Sequence, residues 1–164
     1  AGTAPTITDG EVTLAETGAV FEYILATYGS GRLVEDRGST SYADYLFWYH
    51  FANGSMMPSL ITAMVLASLP VGEGNDFSRT VVARGDAGFA LIEQRLMQVP
   101  FLAGDRFTAA DVMNLFALTT MTRFFPRDLG PFPHLRAYVS RMSARPAYRR
   151  AMARAEPHGG GDGR

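Results

Sequence analysis

The sequence predicts a mainly α chain that opens with one β-hairpin and a short helix and continues in helices alone. Three observations predict it. Asp9-Gly10 stands between two short β-prone runs, a strong two-residue hairpin signal. Residues 29–40 are rich in glycine and charge, the one plausible interdomain linker. From residue 41 to about 155 the pattern reads helical throughout. With 164 residues, 47% hydrophobic and 19% charged, the chain has apolar surface enough for a core, which excludes wholesale disorder.

The elements follow in order. Thr6–Thr8 and Val12–Leu14 are the two strands, and because two strands alone are marginal in water, the hairpin must rest on something else. Val20, Tyr23, Ile24 and Thr27 then share a helical face, and Gly29 ends that helix. A long helix is expected over Ser41–Leu69, kinked near Gly54 or Pro58. It includes a run of 28 residues, Tyr45 to Gly72, without a charge. About 20 apolar residues span a bilayer. However, Asn53, Gly54, Ser55, Pro58, Ser59, Thr62 and Ser68 interrupt the run and no Lys or Arg flanks it, so it reads as a buried helix of a soluble core, with no membrane partner. A loop at 70–75 leads to a second helix, Phe77–Val99, ended by Pro100, whose apolar stripe includes Leu91, Leu96 and Val99 with Arg95 reaching outward. Thr108 and Asp111 form a capping box that opens a third, deeply buried helix, stapled by Phe107 and Val112. Helices over Phe132–Ser143 and Pro146–Ala155 follow, and the tail from 156, with Gly159–Gly161, is expected to be disordered.

Composition excludes several chemistries. There is no cysteine, hence no disulfide, thiolate zinc site or cysteine nucleophile in this sequence. All 15 basic residues are arginine, which excludes a Schiff-base lysine and a Walker-type phosphate lysine. The three histidines, at 50, 134 and 158, are too scattered to suggest a metal site. Residues 123–154 carry eight arginines and one aspartate, whereas residues 1–36 carry six acids and one arginine. With a net charge of −1 and no aromatic stacking platform, the basic stripe reads as a solvated face partly paired to the acidic end, and no nucleic-acid partner is expected.

Two constellations remain. Glu16-Thr17 opens a helix, where free amides and the positive dipole end favour a carboxylate ligand; the same residues also suit a simple cap. Tyr42, Tyr45, Tyr49 and Asn53 fall on one helical face, able to line an apolar pocket or to pack in a core or dimer. His50, without an acidic neighbour in sequence, reads as a hydrogen-bonded structural histidine.

Ala4-Pro5-Thr6, Asp9-Gly10 and Leu14-Ala15-Glu16-Thr17-Gly18-Ala19-Val20 resemble the end of the thioredoxin-like domain of the glutathione S-transferase family. Phe101 to Asp111 is similar to the second signature of that family, and Tyr45 to Pro58 to its bacterial and fungal branch. The resemblance implies a thioredoxin-like remnant over residues 1–29, a linker over 30–40, an all-α C-terminal domain over 41–155 and a tail over 156–164. It implies a cis-proline at Pro5 and a glutathione site built from Ala4, Pro5, Glu16 and Thr17, with Thr17 where the family usually has serine. Tyr42, Tyr45, Tyr49 and Asn53 would border the electrophile pocket, and Thr108 and Asp111 would be structural. The implied activity is conjugation of glutathione, the co-substrate, to small apolar electrophiles, in a cytoplasmic homodimer serving detoxification; a non-catalytic interaction module of the same fold is the alternative. The family's thiolate-stabilising Tyr, Ser or Cys lies in the first part of the thioredoxin-like domain, so its place is expected upstream of Ala1.

Overall fold

The computed structural model describes residues 4–69, 75–124 and 126–155, with only the backbone of Arg123. The expected 156–164 tail and all of the 70–75 loop but Asn75 lie outside the described residues. Strands β1 (Thr6–Asp9) and β2 (Val12–Ala15) pair antiparallel, with Asp9 opposite Val12. The two-residue loop is therefore Gly10-Glu11, one residue later than expected. Gly10 takes φ 59° while Glu11 keeps an ordinary φ, the pattern of a turn with glycine at its first central position. Asp9 instead closes the strand pair, and its carboxylate accepts hydrogen bonds from Tyr28 and from Tyr23 (2.9 Å). Those bonds tie the hairpin to α1 (Thr17–Tyr28).

The segment after α1 is docked. Ser30, Gly31 and Leu33 take positive φ, so the chain turns sharply. Leu33 tolerates this conformation because its carbonyl accepts the Ala109 amide at 2.7 Å and its side chain packs on the core. Glu35 pairs with Arg106 at 3.0 Å.

Helices α2 (Tyr42–Phe51) and α3 (Met57–Ser68) are joined by a π-helical turn over Ala52–Met56. Pro58 explains it. Proline has no N–H for the Gly54 carbonyl, and in an uninterrupted α-helix its ring would strike that carbonyl. The turn widens, and the Met57 amide reaches back five residues to Ala52. The whole stretch is long and apolar enough to cross a membrane by length and composition. Here one face of it buries Tyr45, Trp48, Tyr49, Ala52, Met56, Leu60 and Ala63 inside the protein.

Asn75 caps α4 (Asp76–Leu96), accepting the amides of Phe77 and Ser78. The buried stripe of α4 is Val81, Gly85, Gly88, Phe89, Ile92 and Leu96. Gly88 is needed for a close approach, since a Cβ there would lie 2.9 Å from the Met56 sulfur. Arg95 does not reach outward as expected. It donates to the Leu102 carbonyl (2.9 Å) and to Asp44 of α2 (2.6 Å), clamping three segments together.

The central helix α5 (Ala109–Thr119) is deeply buried and opens with the expected capping box. Asp111 is fully buried and accepts from the Thr108 amide (2.8 Å), the Leu102 amide (2.9 Å) and the Tyr138 hydroxyl (2.7 Å). After α6 (Met121–Phe124), α7 (Pro133–Ser143) and α8 (Pro146–Ala155) follow within a residue of expectation. Glu93 of α4 caps α7, accepting the amides of His134 (3.1 Å) and Leu135 (2.7 Å). Among the described residues, the C-terminal arginines make no ion pair with the acidic N-terminal part. Arg145 lies 3.7 Å from the Phe107 ring centroid, and Arg141 stacks on Phe101 and Tyr138.

Candidate functional site

The N-terminus of α1 is chemically open. Its first internal bond is from the Val20 amide to the Glu16 carbonyl (2.9 Å), and no side chain caps the preceding amides. Such amides, at the positive end of a twelve-residue helix, suit a carboxylate. Glu16 holds φ 73° and ψ 121°, a conformation costly to any residue with a Cβ. Nothing in the sequence announces this strain. Its effect is to break the chain abruptly from β2 into α1 and leave the side chains of Glu16 and Thr17 exposed. The Ala4–Pro5 bond is cis.

Ala4, Pro5 and Thr17 line one cleft of about 560 Å³, whose far wall is Asn53, Met57, Val112, Met113 and Phe116. Val20 and Phe21 of α1 complete it. The residues just before β1 and the first turns of α1 supply one wall, and the π turn, α3 and α5 supply the other. Sequence reading missed Met57, Met113 and Phe116 as wall residues. Met57 was within reach, one helical turn beyond Asn53 on the same face.

The four residues expected to form an electrophile pocket are separated, which corrects the expectation of a shared one. Asn53 lines the cleft just described. Tyr42, Tyr45 and Tyr49 line a different one, between α1 and α2, with Glu22, Glu35 and His50. The physical reason is level, not direction. A shared helical face spreads along its axis by about 1.5 Å per residue, so Asn53 lies roughly 16 Å beyond Tyr42. Tyr49 is also fully engaged: it donates to the Gly18 carbonyl at 2.9 Å and stacks on Phe21. Burial, and next the charge of Glu22, raises the Tyr45 and Tyr49 hydroxyls, which stay protonated. His50 is exposed, edge-on to Tyr49, and makes no hydrogen bond among the described residues, contrary to expectation.

Residues 79–146 match the family model of the glutathione S-transferase C-terminal domain. Glutathione S-transferase 3 of Schizosaccharomyces pombe is 26% identical over 94% of this chain and 69% of its own length. The chain thus carries a glutathione S-transferase C-terminal domain and is similar along most of its length to glutathione S-transferases. The solved glutathione S-transferase of Actinobacillus pleuropneumoniae superposes with a TM-score of 0.83 at 24% identity, over 94% of this chain and 70% of that one. A sphingomonad glutathione S-transferase, solved in complex with glutathione, superposes at 0.73 and 21% identity, over 96% and 75%. At those identities the likeness is one of fold. It is a mainly α glutathione transferase fold with a hairpin and helix at its start.

Proposed function

We propose that the chain acts as a glutathione transferase, holding the tripeptide along Ala4, Pro5, Glu16 and Thr17 and presenting its thiolate to a small apolar electrophile on the helical wall. The observation that carries this reading is the single cleft uniting Ala4, Pro5 and Thr17 with Asn53, Met57 and Phe116. Residues 1–29 form the tripeptide-binding unit, residues 41–155 carry the electrophile, and 30–40 join them.

The roles follow from the chemistry of each group. The free amides of α1 and the Thr17 hydroxyl donate to the γ-glutamyl carboxylate, and the exposed Glu16 carboxylate faces the ammonium beside it. The backbone of Ala4 offers strand-like hydrogen bonds to the cysteinyl part. Met57, Val112, Met113 and Phe116 give an apolar seat for the electrophile and exclude water from the reacting sulfur. Glutathione supplies the nucleophile: its thiol, with a free value of about 8.5, reacts as the thiolate. The cleft is lined by no Tyr, Ser or Cys among the described residues, so the roles assigned to this lining are binding and orientation.

The same reading includes a cytoplasmic homodimer with a role in detoxification. Exposed apolar side chains at and beside the groove between the π turn and α4 support the dimer: Leu91 of its lining is 38% exposed, and the exposed Phe47 stacks on Phe51 at its edge. Sedimentation of the purified chain tests it, with a mass twice 17.8 kDa expected.

The direct test of the site is Thr17→Ala with glutathione titrated calorimetrically. Loss of one charge-assisted hydrogen bond of roughly 1.5–3 kcal/mol weakens binding about 10- to 150-fold. Unchanged affinity removes Thr17 from the site. No binding by the unaltered chain favours the interaction module instead.

A further inference from the structure

Tyr49 of α2 is almost wholly buried, and its hydroxyl donates to the Gly18 carbonyl of α1 at 2.9 Å. The place of that carbonyl matters. In the peptide unit that joins Gly18 to Ala19, the carbonyl oxygen and the Ala19 N–H lie in one plane and point opposite ways. The Ala19 N–H is one of the amides ahead of the first internal bond of α1, which is made by Val20. Whatever fixes the Gly18 oxygen therefore aims the Ala19 donor. A carbonyl has a second lone pair beyond the one its helix uses, so Tyr49 binds without displacing the helical ladder. A carbonyl that accepts a further bond is also more polarised, which makes the amide of the same unit a better donor.

Tyr49 is itself held from the core. The carbonyl of the preceding residue, Trp48, accepts from the fully buried Asn114 of α5 at 2.7 Å. The Tyr49 ring stacks on Phe21, three residues beyond Gly18, with the two planes 3° apart. Burial, and next the charge of Glu22, keep the hydroxyl protonated and so a donor. The other end of this turn is poorly fixed, because the chain enters α1 from a two-stranded hairpin through the strained Glu16. Such strain persists only where the surroundings over-determine it.

We infer that Tyr49 is a positioning residue of the glutathione site, holding the Gly18–Ala19 peptide so that the Ala19 amide meets the γ-glutamyl carboxylate. The inference rests on the glutathione reading above. Tyr49 does not line the cleft and acts only through the backbone it holds. Through it, the helical domain sets the affinity for the tripeptide as well as carrying the electrophile.

The test titrates three variants calorimetrically with glutathione. Tyr49→Phe keeps the ring and loses the donor, and binding is expected to weaken about three- to tenfold, the effect of one net neutral hydrogen bond. Tyr49→4-aminophenylalanine returns an N–H donor to the same place and is expected to bind within about twofold of the unaltered chain. Tyr138→Phe removes another buried hydroxyl, one that serves Asp111 away from the cleft; it is expected to lower the melting temperature and leave affinity within about twofold. Unchanged affinity in Tyr49→Phe overturns the inference and leaves the glutathione reading standing. Equal weakening in Tyr49→Phe and Tyr138→Phe, or no recovery with the amino side chain, makes Tyr49 a packing residue and overturns it as well. Should Tyr49→Phe lose its helical circular dichroism, the 4-aminophenylalanine chain decides alone, and weakened binding there overturns the inference. If the unaltered chain binds no glutathione, the glutathione reading falls and this inference with it.

Discussion

Asp111 holds the centre of the molecule together at the scale of a single residue. Its carboxylate is fully buried, yet it meets two backbone amides and the Tyr138 hydroxyl, with the Thr108 hydroxyl at 3.4 Å. Burial pushes this carboxyl up, and the four donors pull against it. The phenol of Tyr138 is raised well above its usual value by burial and by the neighbouring Asp111, so it remains a donor. Replacing Asp111 with Asn would turn an amide against those donors and cost about 3 kcal/mol or more, whereas Tyr138→Phe would cost about 1.5–3 kcal/mol. Because both changes break one shared network, the double variant should lose less than the sum. Urea unfolding measures all three, and strict additivity would contradict the network. Part of this was legible in sequence: Thr-Ala-Ala-Asp announces a capping box. The Tyr138 bond, 27 residues away, was not, since no local spacing announces a contact across the core.

Among the elements, α7 depends on a cap borrowed from α4. Phe132 gives its N-terminus no side-chain cap, and the Glu93 carboxylate supplies one from the neighbouring helix. Burial alone would raise the Glu93 carboxyl, but bonds from Leu135 and His134 outweigh it and hold it below the ordinary glutamate value of 4.5. A carboxylate lowered by folding stabilises the protein above its unfolded value. That stability is lost as the pH falls through the lower folded value. Stability should therefore drop on acidification below about pH 4.5, and Glu93→Gln should flatten that limb while costing about 1 kcal/mol at neutral pH. Thermal melts across pH check both, and an unchanged acid limb in Glu93→Gln would remove Glu93 as its source. The disturbance in the long helix was legible from Gly54 and Pro58, whereas its π form was not: a kink and a wide turn both relieve the clash of the proline ring with the Gly54 carbonyl. Arg95 was misread for a similar reason, because its partner Asp44 is 51 residues earlier. The hairpin was displaced by one residue because Asp9-Gly10 suits two turn types, and the tyrosine anchors of Asp9 decide between them.

For the whole molecule, the helical domain and the hairpin differ in what holds them. Phe89, Ile92, Leu102, Leu118, Leu135 and Met142 are almost wholly buried in one core. Truncating Leu118 or Leu135 to Ala should cost about 2–5 kcal/mol. The hairpin forms a sheet of two strands among the described residues, tied to α1 mainly through Asp9, and Leu33 joins α1 to the head of α5. Amide exchange should thus be slowest in α5 and α7 and much faster in β1 and β2, and equal protection would contradict this division. The candidate site lies between the start of α1, with Ala4 and Pro5 beside it, and the helical domain, which is why it was only half visible beforehand. The local sequence Leu-Ala-Glu-Thr-Gly marks a helix start, but the far wall of Met57, Met113 and Phe116 exists only once α3 and α5 are folded against it. The central claim, that the open start of α1 receives one end of a peptide thiol, is tested most directly by amide NMR during a glutathione titration. Saturable shifts concentrated at Thr17, Gly18 and Ala19 are predicted. A titration in which those three amides stay still while others move would contradict it.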